Sequence, residues 1–425
     1  MAIELNPDAP DLSSLIRPGD TVLWGQANAE PIVLSRALMA QRHDFSRIRV
    51  LLGISNTDTC RPEHADAVDF LAYCGAGANR KLADAGVLDI LPCHYSQMSE
   101  LLRSGELRID VLMLQLSPPD ALGRHSLSLA NEYLISALEY AAVVIGEVNQ
   151  QAPWTHGERT LRLSDLDAVI YTDRTPLASD ADAGSIREVD IQIAQHIAGL
   201  VEDGSTLQTG IGAVPDAVLS ALADHQNLGV HTGSIGDGVR RLMQSGVINN
   251  SRKSRDLGVS VGGILIGGQA LHQFVHQNPS VQLRASSYTH DLQVLGSLDR
   301  LVAINSAVEV DLTGQVNSEV AAGSYLGAIG GSLDFMRGAH LSKGGLPIIA
   351  LPSSARSKSR IVARLSGPVT IPRSDAGLIV TEFGVADLRG LTLKQRVRKM
   401  LDIAPPQHRA ELEEAWGRDG LAGGL

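Results

Sequence analysis

Residues 111–148 read VLMLQLSPPDALGRHSLSLANEYLISALEYAAVVIGEV. The first five, VLMLQ, form a short apolar run that ends at the turn formers Ser117-Pro118-Pro119-Asp120. That is the pattern of a strand buried on both faces. Residues 131–140 follow with helical patterning, and 143–148 (VVIGEV) is again a short apolar run. Strand, helix and strand at this spacing make a βαβ unit, and such units build a mostly parallel sheet covered by helices.

The same alternation extends in both directions. Residues 21–24, 47–52 and 168–171 read as strands, and 31–41 as a helix. A second α/β half opens with a helix over 186–200. Its strands are expected near 206–208, 229–231, 301–304, 348–351 and 378–381. Residues 393–400 and 405–416 read as charged helices with a solvated face. Between the halves, residues 179–184 (SDADAG) are acidic and small and read as a linker. A chain of 425 residues exceeds one ordinary core. The expected class is therefore α/β, with two units, 1–180 and 185–425, each a mostly parallel sheet flanked by helices.

Composition narrows the function. Hydrophobic residues at 44% and charged residues at 20% give a soluble globular balance, and 42 glycines with only 4% aromatics suit tight βα loops. The net charge is −11 and no basic stripe is visible, which argues against a nucleic-acid partner. Cys60, Cys74 and Cys93 stand far apart, and the histidines show no HExxH pattern, so no metal is expected. The N-terminus, MAIELNPDAPDLSSL, has neither a basic region nor an apolar run, and no apolar stretch reaches membrane-spanning length. A cytoplasmic protein without membrane contact is the expectation.

The sharpest local motif is Gln208-Thr209-Gly210-Ile211-Gly212-Ala213-Val214-Pro215-Asp216. A strand ends in a glycine-rich turn, and Pro215 suits the first turn of the helix that follows. The turn reads either as a plain βα connection or as a cradle whose free N–H groups attract an anion. A dinucleotide site fits poorly, because Gly210-Ile211-Gly212 lacks the third glycine at the required offset.

Further motifs follow in order. Upstream stand Gln115-Leu116-Ser117-Pro118-Pro119-Asp120 and Glu147-Val148-Asn149; downstream come Asn305-Ser306-Ala307-Val308-Glu309-Val310-Asp311-Leu312-Thr313-Gly314-Gln315-Val316-Asn317, Gly330-Gly331-Ser332-Leu333-Asp334-Phe335 and Thr381-Glu382-Phe383-Gly384-Val385-Ala386-Asp387. The ordered series resembles the acetyl-CoA hydrolase/CoA-transferase family, in particular its 4-hydroxybutyrate and butyryl-CoA:acetate transferase branch. The resemblance implies two α/β units with the active site in the cleft between them, and coenzyme A lying along the second. Gly210, Ile211, Gly212, Ala213 and Val214 would line the cofactor and the thioester oxygen, and Asn305, Gly330, Gly331 and Lys343 match positions near it. An acyl-CoA and a small carboxylic acid are the implied partners, and a homodimer or higher oligomer the implied assembly.

Two departures change the chemistry that the resemblance implies. The family's His-Thr-Glu here reads His231-Thr232-Gly233. The lost glutamate is the family nucleophile, whose carboxylate takes the acyl group and then the CoA in a ping-pong cycle. Glycine closes that route. The family's Gly-x-Gly-Gly-Gln becomes Ala328-Ile329-Gly330-Gly331-Ser332, which reshapes the neighbouring loop. Water attack on the thioester is then expected, with Glu319, Asp237 and His231 as candidate bases and Ser234 as a conceivable nucleophile. Each also has a structural reading: scaffold for Glu319, helix cap for Asp237, hydrogen-bonded histidine for His231, turn residue for Ser234. Two other functions stay open, a transferase using another carboxylate or direct transfer, and a degenerate CoA-binding protein. Gly233 and Ser332 both replace larger residues, which points to an acyl group bulkier than acetyl. A glutamate restored at 233 is expected to bring back ping-pong transfer if the rest of the pocket is intact.

Overall fold

The computed structural model describes residues 2–179 and 186–418; the linker expected at 179–184 therefore lies almost wholly outside the described residues. Two sheets organise the chain. The first has eight strands, in spatial order Ile3–Glu4, Ala168–Thr172, Val143–Asn149, Val111–Leu116, Thr21–Trp24, Ile48–Leu52, Val68–Ala72 and Leu88–Ile90. Every neighbouring pair is parallel. The second has six, in the order Gly229–Val230, Thr206–Thr209, Leu301–Ser306, Leu346–Ala350, Leu378–Thr381 and Gly384–Asp387, and only its last pairing is antiparallel. The α/β class expected from the sequence is what the chain adopts.

The strands are buried because helices cover both faces. Val111–Leu116 is buried at every position, as the run VLMLQ demanded. The strand from Leu301 runs two residues further than its apolar pattern, to Ser306, because Asn305 and Ser306 pair with Ile349 and Ala350. Polar residues at a strand end hide such an extension from a hydrophobicity pattern.

Strand order also decides where ligands can sit. In the first sheet the chain steps from Thr21–Trp24 outward on one side, then returns at Val111–Leu116 on the other. In the second it steps from Thr206–Thr209 to Gly229–Val230, then returns at Leu301–Ser306 on the opposite side. Each reversal opens a crevice beyond the carboxyl ends of two adjacent parallel strands, the preferred ligand position of open α/β sheets. Gln26 follows the first switch strand, and Gly210 and Asn305 stand at the second.

The two halves close on each other through main-chain bonds. Tyr95 N–H donates to Gly330 O and Gly75 N–H to Gly327 O, both at 2.9 Å; Asn131 N–H donates to Gly263 O at 2.9 Å and Leu265 N–H to Leu129 O at 2.8 Å. One apolar cluster runs through both halves, joining Leu129 and Tyr133 to Leu207, Ile235 and Ile264. Among the described residues no helix is long and apolar enough to cross a membrane.

Candidate active site

A cavity of about 180 Å³ lies where the two halves meet. The first half contributes Gln26, Ile54, Tyr73, Tyr95 and Glu132. The second contributes the turns at Gly210, Gly233 and Gly330–Gly331, with His290, Asn305 and Phe335.

Glu132 is the carboxylate among its lining residues. It opens the helix Glu132–Tyr140 with a φ of +25°, a sparsely populated backbone state for a side chain. The preceding residue is tied to the second half: besides its N–H bond to Gly263, Asn131 Nδ2 donates to Leu283 O at 3.1 Å. Glu132 is 1% exposed, so bulk water does not solvate its carboxylate. Gln26 Nε2 donates to both of its oxygens at 2.9 and 2.8 Å, and the Tyr95 hydroxyl donates to Oε2. The orientation of the Gln26 amide is settled by its own acceptor, because Oε1 receives Ile54 N–H at 2.8 Å and the Tyr73 hydroxyl at 2.7 Å. Burial raises the Glu132 carboxyl to about 7, against the downward pull of the Tyr95 and Gln26 bonds. A carboxyl poised near neutrality can hold or release a proton there.

Gly233 faces this cavity with no side chain. A Cβ at 233 would stand 3.4 Å from both Cε1 and Nε2 of His290 and 3.8 Å from Phe335. The His290 Nδ1 is bonded to Thr289 Oγ1 at 2.8 Å. Burial pulls this imidazole down to about 3, so it is neutral at neutral pH.

A second cavity of about 290 Å³ adjoins the first. It shares Thr209, Gly210, Ile211, Ser234 and Ile266 with it and continues past Gly212, Ala213 and Asp237 to Arg241. Gly212 has a φ of +122° at the start of helix Ala213–Ala221, which only glycine adopts without strain. The two cavities together offer a pocket for an acyl group and a passage for a longer chain.

With this geometry in place, the chain matches the acetyl-CoA hydrolase/transferase N-terminal domain over residues 7–179 and the corresponding C-terminal domain over residues 267–416. It belongs to the acetyl-CoA hydrolase/transferase family. It is 36% identical to the 4-hydroxybutyrate coenzyme A transferase of Clostridium kluyveri, over 94% of this chain and 94% of that protein. It is 35% identical to the succinyl-CoA:cyclohexane-1-carboxylate CoA transferase of Geobacter metallireducens, over 95% and 93%. The solved structure of RipA from Yersinia pestis superposes with a TM-score of 0.92 at 33% identity, over 98% of this chain and 97% of that one. The chain is thus an enzyme of acyl-CoA hydrolase or CoA-transferase type.

Within this family frame the residues singled out from the sequence part company. Gly210, Ile211, Asn305, Gly330 and Gly331 come together on the first cavity, and Gly212 and Ala213 on the second. Val214 is buried inside the helix beyond. Lys343 is exposed past the far end of helix Ser332–Leu341, about 15 Å from Ser332 by helix rise. Neither Val214 nor Lys343 lines a cavity.

The three candidate bases are all engaged elsewhere. Glu319 accepts from Thr370 Oγ1 and the Tyr325 hydroxyl, both at 2.8 Å, and braces a loop. His231 is buried, with Nε2 bonded to Thr289 O at 3.1 Å, and burial lowers it to about 3. Asp237 does not cap its helix, whose cap is Gly236. Instead its carboxylate accepts from Arg240 Nε and Gly268 N–H, each at 2.8 Å, at the wall of the second cavity.

Sequence reading missed Glu132, His290, Gln26 and Tyr95. The only local signal was a glutamate in the first turn of a helix, which is ordinarily a solvated partner of the helix dipole. The sequence reading, which found no histidine pair at metal spacing, also overlooked one HxxxH pair, His272 and His276. His276 ends the helix with extended geometry (ψ 116°) and its Nδ1 accepts from Trp154 N–H at 3.1 Å, so the two rings do not share a helix face. Among the described residues no group of three or more His, Cys, Asp or Glu is placed to hold a metal.

Proposed function

We propose that this enzyme hydrolyses the thioester of a short or cyclic acyl-CoA, with Glu132 activating the water. One observation carries the reading: a buried carboxyl poised at about 7 lines the same cavity as the bare Gly233. In the reaction Glu132 takes a proton from water, and the hydroxyl oxygen attacks the thioester carbon. The carbonyl oxygen becomes an oxyanion, and since the Gly210 N–H is given to Ile304 O at 3.1 Å, the main-chain donors offered to it are those of the Ile211–Gly212 and Gly330–Gly331 turns; each good donor is worth about 3 kcal/mol. The C–S bond then breaks, and CoA leaves as the thiol, taking its proton from Glu132. The acid is the second product, and the chain of CoA follows the second cavity past Gly212 and Ala213.

Cavity size supports the acyl class. A cavity of about 150 Å³ accommodates benzene, so the 180 Å³ found here, walled by Ile54, Ile264, Ile266 and Phe335, suits a group up to a six-membered ring. A second reading has Glu132 as the nucleophile that stores the acyl group for transfer to an acid. It is favoured by the names of two whole-length relatives, each a CoA transferase.

Acetyl-CoA, butyryl-CoA and cyclohexane-1-carbonyl-CoA, each with and without acetate, separate the readings. Hydrolysis predicts thiol release without acetate and ¹⁸O from labelled water in the acid formed. Thiol release that requires acetate, together with an acyl or CoA adduct on Glu132 by intact mass, gives the transfer reading. CoA binding without turnover of any of the three leaves only a binding protein.

A further inference from the structure

We propose that His290 is a catalytic residue of this site, its imidazole edge within van der Waals reach of position 233 and its Nε2–H meeting the thioester oxygen. The inference deepens the hydrolytic reading and rests on the same cavity. The ring edge that carries Nε2 looks out between two glycine turns. A Cβ at 233 would lie 3.4 Å from Nε2, and one at 331 would lie 2.4 Å from it. The second distance is a collision, so glycine at 331 is a condition for the imidazole being where it is. The ring is clamped from both halves, with centroids 4.8 Å from Tyr95 and 4.6 Å from Phe335. Its Nδ1 is occupied by Thr289, while Nε2 has no hydrogen-bond partner among the described residues.

The 2.8 Å contact between Thr289 Oγ1 and Nδ1 forms with either atom as donor, and catalysis by His290 through Nε2–H requires the hydroxyl to be the donor. Thr289 Oγ1 has one hydrogen to give, and it stands 2.8 Å from Nδ1 but 3.3 Å from Ala285 O. Given to Nδ1, it leaves the ring hydrogen on Nε2, facing the cavity. Burial keeps the ring uncharged, and an uncharged imidazole held this way is a poor base whose Nε2–H can still donate a hydrogen bond. The division of labour follows. Glu132 moves the proton, and His290 stabilises charge on oxygen without a proton changing hands. A glutamate restored at 233 would meet this ring first, and its carboxylate would take the Nε2–H instead of reaching the thioester. This outcome is opposite to the sequence expectation that Gly233→Glu restores ping-pong chemistry in an intact pocket, and the two are separated by the adduct measurement below.

The test uses the full chain with butyryl-CoA as substrate and CoA as the binding probe. His290→Ala lowers kcat about 100-fold or more, the usual cost of one oxyanion donor, with the Kd for CoA within about 3-fold. His290→Gln, whose amide can donate at similar reach, recovers about 10-fold or more of that loss. Gly233→Glu gives no glutamyl-CoA adduct by intact mass, and Gly233→Glu with His290→Ala gives one. A folded His290→Ala with kcat within about 3-fold of the parent overturns the inference. So does an adduct on Gly233→Glu as abundant as on the double variant. If His290→Ala does not fold, Thr289→Val frees Nδ1 while keeping the ring, and an unchanged kcat in that variant overturns the inference equally. These readouts apply to hydrolysis or transfer alike, so failure of the Glu132 reading and failure of this one are told apart.

Discussion

At the residue scale the chemistry turns on a carboxylate that is poorly solvated and well held. Glu132 accepts three hydrogen bonds, which favour its charge, yet burial outweighs them and raises the group to about 7. A general base works in its ionised form, so kcat is expected to rise with pH and level off above about 7. Glu132→Gln keeps the size of the side chain and removes the base. It should lower kcat about 10²- to 10⁴-fold and abolish the rise near neutrality. A pH–rate profile of both proteins checks this, and a Gln variant with the parent's profile would dismiss Glu132 as the base.

At the scale of elements, the cavity depends on a loop and a helix meeting across the cleft. Asp334, in the first turn of helix Ser332–Leu341, accepts from Ser96 N–H at 3.1 Å and Ser96 Oγ at 2.7 Å. These bonds pin the Tyr95 segment against the Gly330 turn, where Tyr95 N–H already bonds Gly330 O. Asp334→Ala strands the half-buried Ser96 donors. A loss of about 1–3 kcal/mol in unfolding free energy is expected, because an unpaired buried donor costs its desolvation. Hydrogen exchange should quicken at 94–97 before the central strands respond. Equal exchange in both proteins would mean that the pairing does not hold the cleft.

At the scale of the whole molecule, buried histidines make the fold acid-sensitive. His231 and His290 are lowered to about 3 and His272 to about 4, in each case mainly by burial. Below about 6.5 the unfolded chain protonates these rings and the folded chain does not. The unfolded state then binds more protons, and stability falls as pH drops, by up to about 1.4 kcal/mol per unit for each ring. Glu132 works in the opposite sense. Its folded value lies above its unfolded one, so between roughly 4.5 and 7 its burial favours the fold more as pH falls. Urea denaturation at pH 7 and pH 5 should show the protein less stable at pH 5. The drop should be steeper in Glu132→Gln, from which the opposing contribution is gone.

The sequence by itself determined the fold class, because buried parallel strands are short apolar runs and their helices have a period of their own, both local properties of the chain. It also singled out Gly233, because the flanking His231-Thr232 resembles the family's His-Thr-Glu. The family resemblance of its ordered motifs named Gly210, Asn305 and Gly330, which the fold sets around one cavity. Only the tertiary structure set Glu132 and His290 on the same cavity as Gly233. Glu132 reads as a solvated first-turn residue and His290 as one histidine among thirteen. Their environment comes from the closure of one half of the chain on the other. Closure strips water from the carboxyl and from the imidazole and sets both against the bare glycine, and no pattern along the chain records that desolvation.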